Sequence, residues 1–236
     1  MNWKKITAIV AAGTMMLLLA ACGTTSTNKT SSNKTTAQVP SSAKKSDWNL
    51  KVVNIKHQVN AKFVPTLTTV DNSQQLDSRV VASYNKMKAA AKAGAKLVAG
   101  SGYRSYEHQE GVMTRNVQER EAKGMSAAAA KKDALKTINP AGSSEHQTGL
   151  AMDFVTPAEN AAGSDVTQAF AKTAQGKWLK KNSWKYGWVL RYPKNGKSST
   201  YIDYESWHFR YVGKANAKYM HQQHLTLEQY VAKLSK

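Results

Sequence analysis

The chain has 236 residues and a formal charge of +19, with 34 lysines and arginines against 15 aspartates and glutamates. Its single cysteine, Cys22, excludes an intramolecular disulfide and a metal site built from several thiolates. The strong positive charge favours anionic surfaces such as lipid headgroups and wall polymers, to which long-range electrostatic attraction would steer the protein.

The N-terminus has the pattern of an export signal. Two lysines precede an uncharged apolar run from residue 6 to 21 that ends in small residues. Residues 19–22, Leu-Ala-Ala-Cys, resemble the lipobox of bacterial lipoproteins, in which the cysteine becomes the lipid-modified first residue. We therefore predict a signal peptide over residues 1–21, lipidation of Cys22 and attachment to the extracellular face of the bacterial cell membrane. Cleavage without lipidation is the alternative.

A polar segment separates this signal from the folded part of the chain. Residues 22–46 are mostly Ser, Thr, Asn and Lys, too poor in apolar groups to offset the entropy of ordering, and are predicted to be a flexible tether. Residues 47–236 are long enough to form one domain around a hydrophobic core, which we expect to be monomeric. No transmembrane helix is expected, and an exported chain without a basic helix bearing base-reading residues is not expected to bind nucleic acid.

The first half of the domain mixes short strands with amphipathic helices. Residues 50–55 alternate apolar and polar side chains as an opening strand would, and residues 96–99 read as a second strand. Between them, a helix is predicted over residues 73–93, where apolar side chains recur every three to four residues: Leu76, Val80, Tyr84, Met87 and Ala91. A helix from Ser105 to about Lys123 follows, and Ser126 caps another that reaches about Lys136.

The second half supplies the rest of a sheet. Strands are predicted over residues 150–155, 187–192 and 207–212, with a helix over residues 178–185 and two helices at the end of the chain. Because strands and helices follow one another without regular β-α-β alternation, the sequence favours an α+β fold, with a small antiparallel sheet flanked by helices in a single domain.

One predicted strand contains an unexpected carboxylate. In the segment from Ser144 to Phe154, His146 lies on a loop and Asp153 follows seven residues later between two apolar side chains. A buried carboxylate is costly unless it is paired or bound to a metal. Asp153 is therefore either a metal ligand or half of a structural salt bridge.

A second segment supplies the remaining chemistry. Glu205 stands three residues before His208, at the start of another predicted strand. Two histidines and one carboxylate form a known catalytic zinc set that leaves a position open for water, although manganese or iron would also accept these donors. A nearby carboxylate can take the proton of that water, and Glu205 fits this role. Residues three apart on a regular strand face opposite sides, so a turn or bulge must separate Glu205 from His208.

Three motifs resemble those of the VanY-type D-alanyl-D-alanine carboxypeptidases. They are Ser-Gly-Tyr-Arg-Ser at 101–105, Ser-x-His-x-x-Gly-x-Ala-x-Asp at 144–153 and Glu-x-Trp-His at 205–208. The resemblance implies that one zinc ion is bound by His146, Asp153 and His208, with Glu205 as general base. It also implies that Arg104 holds the substrate carbonyl or oxyanion, and that Gln109 and Ser144 bind the terminal residue of a peptidoglycan stem peptide.

Each supporting residue also has a structural interpretation. Arg104 could pair with an acidic neighbour, Gln109 could lie on a solvated helix face and Ser144 could end a turn. His221, His224 and Glu228 could share one face of a terminal helix and hold a second metal, although a solvated helix end is the simpler interpretation.

The expected activity is that of a zinc metallocarboxypeptidase, a peptide hydrolase that removes the C-terminal D-alanine from D-Ala-D-Ala stem peptides. One alternative is an L,D-carboxypeptidase that acts on tetrapeptide stems, which these motifs do not separate from the D,D activity. The other is a non-catalytic wall-binding module that keeps the metal, against which the presence of Glu205 argues.

Overall fold

A four-stranded antiparallel sheet forms the centre of the protein, in the order β3-β4-β6-β5. The structure is a computed structural model that describes residues 38–92, 94–163 and 166–234. The strands are β3 (Val98–Ser101), β4 (Ala151–Val155), β5 (Trp188–Leu190) and β6 (His208–Tyr211). A smaller antiparallel pair, β1 (Leu67–Thr69) and β2 (Gln75–Asp77), lies outside this sheet.

The two faces of the main sheet have different chemistry. On one face, Met152 and Phe154 of β4 and Phe209 of β6 belong to the main hydrophobic core, which also contains Trp188. Side chains alternate along a strand, so the residues between them point to the other face. That opposite face carries Asp153 and the charged or polar residues of β6, and it is where the candidate site lies.

Helices cover the apolar face and the ends of the sheet. In chain order, the α-helices among the described residues are α1 (Val81–Ala91), α2 (Tyr106–Glu121), α3 (Ala127–Ala134), α4 (Pro157–Ala162), α5 (Ala174–Asn182), α6 (Lys197–Thr200), α7 (Lys214–Gln223) and α8 (Leu227–Lys233). Helix α1 contributes Tyr84, Met87 and Ala91 to the main core, whereas α2 and α3 pack against each other. None of the helices in the described ranges is long and apolar enough to span a membrane.

A second hydrophobic cluster joins the two ends of the folded chain. Met220 of α7 and Tyr230 of α8 pack with Leu50, and Val39 and Ala43 lie against the same cluster. Thus the described end of the polar segment before residue 47 contacts the terminal helices. Cys22 and the predicted signal peptide lie outside the described residues.

Two glycines allow the chain to pass close to β2. A Cβ atom on Gly102 would lie 2.3 Å from the Gln75 carbonyl oxygen. Gly149 has φ +66°, and a Cβ there would lie 2.7 Å from the Asp77 nitrogen. Both glycines belong to the motifs identified from the sequence, so the small pair β1–β2 buttresses the two segments that deliver the candidate site.

The predicted α+β class with a small antiparallel sheet is confirmed, but two predicted elements are wrong. Residues 50–55 form no strand; a 3-10 helix ends at Leu50, and Asn54 and His57 face each other across a turn. The helix predicted from Ser73 begins only at Val81. Asn72 and Ser73 have φ of 53° and 57°, which stops a right-handed helix there, and Leu76 is buried on β2 instead.

Candidate metal centre

The pairing of β4 with β6 brings Asp153 and His208 together. They are directly opposite each other in the antiparallel register, so their side chains share one face of the sheet. The Asp153 Oδ1 atom lies 3.0 Å from His208 Nδ1. Two residues separated by more than fifty positions in sequence are therefore fixed relative to each other by a single strand pair.

A short 3-10 helix, Glu145–Thr148, carries His146 to the same place. The His146 Nδ1 atom donates to the Gly102 carbonyl oxygen at 2.7 Å, and the Arg104 backbone N–H donates to the His146 carbonyl oxygen at 3.2 Å. The glycine-containing loop before α2 is thus joined to the histidine turn by two hydrogen bonds. Because Nδ1 carries the proton, the His146 Nε2 atom keeps a lone pair for a metal.

The three side chains fit a metal ion. One ligand atom from each of His146, Asp153 and His208 lies within 4.8 Å of the others, and all three residues are buried. The His146 Nε2 atom is 3.2 Å from Asp153 Oδ2. Within the described ranges, His146 Nε2 and Asp153 Oδ1 have no hydrogen-bond partner although both are buried. Two imidazoles and a carboxylate that converge with unsatisfied donor atoms are the ligands of an open zinc site.

Glu205 lies beside this group. It precedes β6, and the chain bends at Ser206 and Trp207 before the strand begins at His208. This bend places Glu205 Oε2 at 3.7 Å from His208 Nδ1. The expected irregularity between the two residues is therefore present, and the carboxylate stands next to the candidate metal position rather than on the opposite side of the sheet.

Without a metal ion, the side chains of this centre have unequal pKa values. Burial lowers the pKa of His146 to about 4, and the charge of Arg104 adds to this effect. Burial also opposes the charged form of His208, but the charge of the Asp153 carboxylate beside its Nδ1 atom outweighs burial and raises the pKa to about 9. Burial raises the pKa of Glu205 to about 8. A divalent cation would favour the ionised carboxylate and the neutral imidazoles.

The seven predicted site residues line one cavity of about 720 Å³. They are His146, Asp153, His208, Glu205, Arg104, Gln109 and Ser144. The Nε atom of Arg104 is buried and has no hydrogen-bond partner in the part of the chain that the structure describes. This atom of Arg104 is therefore not paired with an acidic neighbour in the described part of the chain.

Gln109 and Ser144 also line this cavity. Both are buried, so Gln109 does not lie on a solvated helix face. The Gln109 Nε2 atom donates to the Asn139 carbonyl oxygen at 2.7 Å, whereas its Oε1 atom has no partner among the described residues. The free atom of Gln109 is thus an acceptor. Ser144 immediately precedes the 3-10 helix that carries His146.

Sequence reasoning missed several residues at this centre. Tyr192 and Asn139 line the cavity, and the Tyr192 ring lies 4.8 Å from the His208 ring, centroid to centroid. Neither residue belongs to a motif or to a periodic pattern that would have revealed it. Glu145, inside the histidine motif, was also missed: it is fully buried and contacts two arginines.

The second metal group considered near the C-terminus does not form. Glu228 pairs with Arg191 at 2.6 Å, and His224 ends α7 in a left-handed conformation. The carboxylate is therefore already bound to an arginine. Among the residues that the structure describes, His146, Asp153 and His208 are the group of side chains suited to a metal.

The sequence from residue 73 to 214 matches the family model described as VanY, D-alanyl-D-alanine carboxypeptidase. This stretch includes every residue of the metal centre. The chain belongs to the VanY family. The family predicted from the three motifs is thus confirmed.

Two bacterial relatives agree with this membership. A D-alanyl-D-alanine carboxypeptidase of Enterococcus faecalis (strain ATCC 700802 / V583) is 32% identical over 198 residues, which cover 84% of this chain and 70% of that protein. The protein YodJ of Bacillus subtilis (strain 168) is 43% identical over 148 residues, or 63% of this chain. That match spans only half the length of YodJ.

Solved structures share the fold. VanYB in complex with D-alanine-D-alanine is 33% identical with a TM-score of 0.71, covering 80% of this chain and all of VanYB. A VanY mutant from a VanB-type resistance cassette, in complex with Zn(II), is 32% identical with a TM-score of 0.70, covering 78% and 99% of the two chains. The LD-carboxypeptidase LdcB is 34% identical with a TM-score of 0.66, covering 78% and 86%. One of these related proteins was thus solved with Zn(II) bound.

Proposed function

We propose that this chain is a zinc-dependent D,D-carboxypeptidase that removes the C-terminal D-alanine from peptidoglycan stem peptides. The convergence of His146, Asp153 and His208 with unsatisfied ligand atoms, beside Glu205 and inside one cavity with Arg104, carries this proposal. Family membership and the likeness to VanYB, solved with D-alanine-D-alanine, support it.

His146, Asp153 and His208 would hold a zinc ion, which would supply a Lewis acid and lower the pKa of a bound water. Glu205, whose carboxylate stands 3.7 Å from the ligand nitrogen of His208, takes the proton of the attacking water and passes it to the leaving amine. Arg104 donates hydrogen bonds to the carbonyl oxygen of the scissile bond as negative charge develops on it. Burial of Glu205 and of the Arg104 Nε atom strengthens these electrostatic effects.

The remaining predicted contacts bind the end of the peptide. Gln109 uses its Nε2 atom within the protein, so its Oε1 atom accepts a hydrogen bond from an N–H group of the substrate. Ser144 has a hydroxyl that can donate to the terminal carboxylate. We infer that Gln109 and Ser144 orient the terminal D-alanine, and that neither takes part in the proton transfers.

The test is a product analysis on two stem peptides. The domain, loaded with zinc, is incubated separately with a pentapeptide ending in D-Ala-D-Ala and with a tetrapeptide, and the products are weighed by mass spectrometry. The proposal requires loss of one alanine from the pentapeptide at a much higher kcat/KM than from the tetrapeptide. The reverse preference would make the protein an L,D-carboxypeptidase, the activity named for its structural relative LdcB. Binding without hydrolysis of either peptide would indicate a wall-binding module.

We also propose that the mature protein is a lipoprotein on the extracellular face of the cell membrane, tethered by the part of residues 22–46 that precedes Val39, since Val39 and Ala43 pack against the domain. The charged start, the apolar run and the Leu-Ala-Ala-Cys sequence at 19–22 support this proposal. Mass spectrometry of the N-terminal peptide should find a diacylglyceryl group on Cys22. The Cys22→Ser variant should move from the membrane fraction to the medium; retention of that variant in the membrane would contradict the proposal.

A basic surface next to the active site supports a further partner, the anionic polymers of the cell wall. A cavity of about 440 Å³ is lined by Lys172, Lys180 and Lys194, all exposed, together with Gln168, which also borders the active-site cavity. Polyglycerol phosphate should bind the wild-type domain with an affinity that falls steeply with salt. Replacing the three lysines with glutamine should weaken this binding clearly; equal binding by the variant would exclude the surface.

A further inference from the structure

A buried ion cluster lies directly behind the metal centre. Its central member is Glu145, whose side chain is completely buried. The Arg191 Nε atom donates to Glu145 Oε1 at 2.7 Å, and the Arg210 Nη1 atom donates to the same oxygen at 2.5 Å. Two guanidinium groups therefore converge on one oxygen of the Glu145 carboxylate.

The rest of the cluster satisfies both arginines. Arg191 donates from Nη1 and Nη2 to the two carboxylate oxygens of Glu228 on α8, at 2.9 and 2.6 Å. The Arg210 Nη2 atom donates to the carbonyl oxygens of Asn49 and Lys51. With two carboxylates and two guanidinium groups, the cluster is neutral as a whole, and its charges are matched by strong hydrogen bonds.

The second oxygen of Glu145 is the exception. Within the described parts of the chain, Glu145 Oε2 is buried and has no hydrogen-bond partner, and the same is true of His208 Nε2. These two atoms lie 3.6 Å apart, about 0.6 Å longer than a typical N–H···O hydrogen bond. On the other side of the imidazole ring, Nδ1 faces Asp153. The ring of His208 thus lies between a carboxylate of the ion cluster and the position of the metal.

We propose that Glu145 is a positioning residue that accepts a hydrogen bond from His208 Nε2 and so presents the lone pair of Nδ1 to the metal. This inference rests on the proposed zinc site and adds to it the group that fixes the proton and the orientation of one ligand. Carboxylates that accept the second N–H of a ligating histidine commonly strengthen metal binding in this way. The two arginines hold Glu145 Oε1, which leaves Oε2 directed at the imidazole.

The substitution Glu145→Gln tests this inference because an amide has only one acceptor oxygen. The N–H groups of Arg191 and Arg210 require an acceptor, so the amide oxygen must face them and the amide NH2 must face His208. An N–H opposite Nε2 favours the tautomer of His208 that carries its proton on Nδ1. That proton would occupy the lone pair that zinc needs.

The experiment measures zinc affinity by competition with a chromophoric chelator. The Glu145→Gln variant should bind zinc about 10–100-fold more weakly than the wild type. The matched control is Glu228→Gln, since Glu228 is the other carboxylate of the same cluster and does not face His208. The zinc affinity of this control should stay within about threefold of the wild type. The comparison requires that the two metal-free variants have similar melting temperatures. Equal weakening in the two variants, or no weakening in Glu145→Gln, would overturn the inference.

A second measurement needs no variant and therefore does not depend on how well Glu145→Gln folds. In zinc-loaded, 15N-labelled wild-type protein, a long-range 1H–15N spectrum of the imidazoles should place the proton of His208 on Nε2. A proton on Nδ1 would contradict the proposal. Neither measurement involves hydrolysis, so a protein that binds zinc in this manner but cleaves no stem peptide would overturn the proposed function and leave this inference standing.

Discussion

Two groups of buried charges lie on either side of His208 and differ in how well they are satisfied. In the ion cluster, defined by Glu145, Arg191, Arg210 and Glu228, both arginines bond carboxylates at short distances. In the metal centre, buried polar atoms of Arg104, His146 and Asp153 have no partner among the described residues. The fold thus places two groups of charged side chains next to each other. The charges of the ion cluster are paired with one another, whereas the metal centre keeps unpartnered atoms.

The difference follows from what a folded chain can tolerate. An unpaired buried polar atom costs free energy unless a ligand later satisfies it, so such atoms collect where binding occurs. A closed ion cluster next to them keeps its members fixed and limits rearrangement of the ligands. Charges in the cluster should therefore matter for stability, and charges in the metal centre should matter for activity.

The largest expected effect is the loss of activity when Glu205 is replaced. Glu205→Gln should lower kcat on a stem pentapeptide by about 10²–10⁴-fold, because the general base is lost. Burial raises the pKa of Glu205 to about 8, so the protein groups alone keep it mostly protonated at pH 7 and the neutral amide should change the free energy of unfolding by less than about 1 kcal/mol. Turnover is measured by D-alanine release, with zinc content as the control. A wild-type rate in this variant would remove Glu205 from the mechanism.

The next effect concerns an arginine of the ion cluster. Arg210→Met should lower the free energy of unfolding by about 3–5 kcal/mol, since Glu145 would lose one of its two guanidinium partners in a buried site. The measurement is urea unfolding of the metal-free protein at constant pH. A loss below about 1 kcal/mol would show that the cluster does not carry the stability assigned to it.

The matched change in the metal centre is Arg104→Met. Because the Nε atom of Arg104 is buried and has no partner among the described residues, its removal should leave the free energy of unfolding unchanged or raise it. The same variant should lose about 10²–10³-fold in kcat by loss of a donor to the developing negative charge. Destabilisation equal to that of Arg210→Met would erase the contrast between the two groups.

The smallest expected effect concerns Asp71, a partly exposed carboxylate that belongs to neither group. It gives the size of a stability change for an ordinary ion pair, against which the larger changes can be compared. Burial opposes ionisation of Asp71, but hydrogen bonds from Lys88 and Tyr84 outweigh it and hold its pKa below the usual value. A lowered folded-state pKa stabilises the protein above the unfolded pKa, near 4, and this contribution is lost as the pH falls through the folded pKa. The free energy of unfolding of the wild type should therefore exceed that of Asp71→Asn by about 1 kcal/mol from pH 7 to 5. This difference in stability should shrink below pH 4, as measured by acid unfolding. A difference that grows below pH 4 would contradict the lowered pKa of Asp71.

The side chains of the metal centre could be found from the sequence because each stands out locally. Asp153 interrupts an apolar strand, and the two histidines lie at strand or loop boundaries in short motifs. The structure brings these residues into one cavity. The bend before His208 was also predictable, since a regular strand would have separated it from Glu205.

The ion cluster could not be found in this way. Arg191 directly follows β5, Arg210 lies on β6 and Glu228 on α8, and each looks like a surface charge when considered alone. Only the pairing of β5 with β6 and the packing of α8 bring them to Glu145. The start of α1 was predicted wrongly for a related reason: the spacing of Leu76 suits a helix, and the left-handed residues that precede it cannot be recognised from apolar periodicity.

The central claim is that three side chains hold one zinc ion on which hydrolysis depends. Protein freed of metal by a chelator, with the chelator then removed, is titrated with zinc while release of D-alanine from a stem pentapeptide is followed. We expect no turnover at the start, a linear rise, and a plateau at one zinc per chain. Full activity before any zinc is added, or the same titration curve in the His146→Ala variant, would contradict the account.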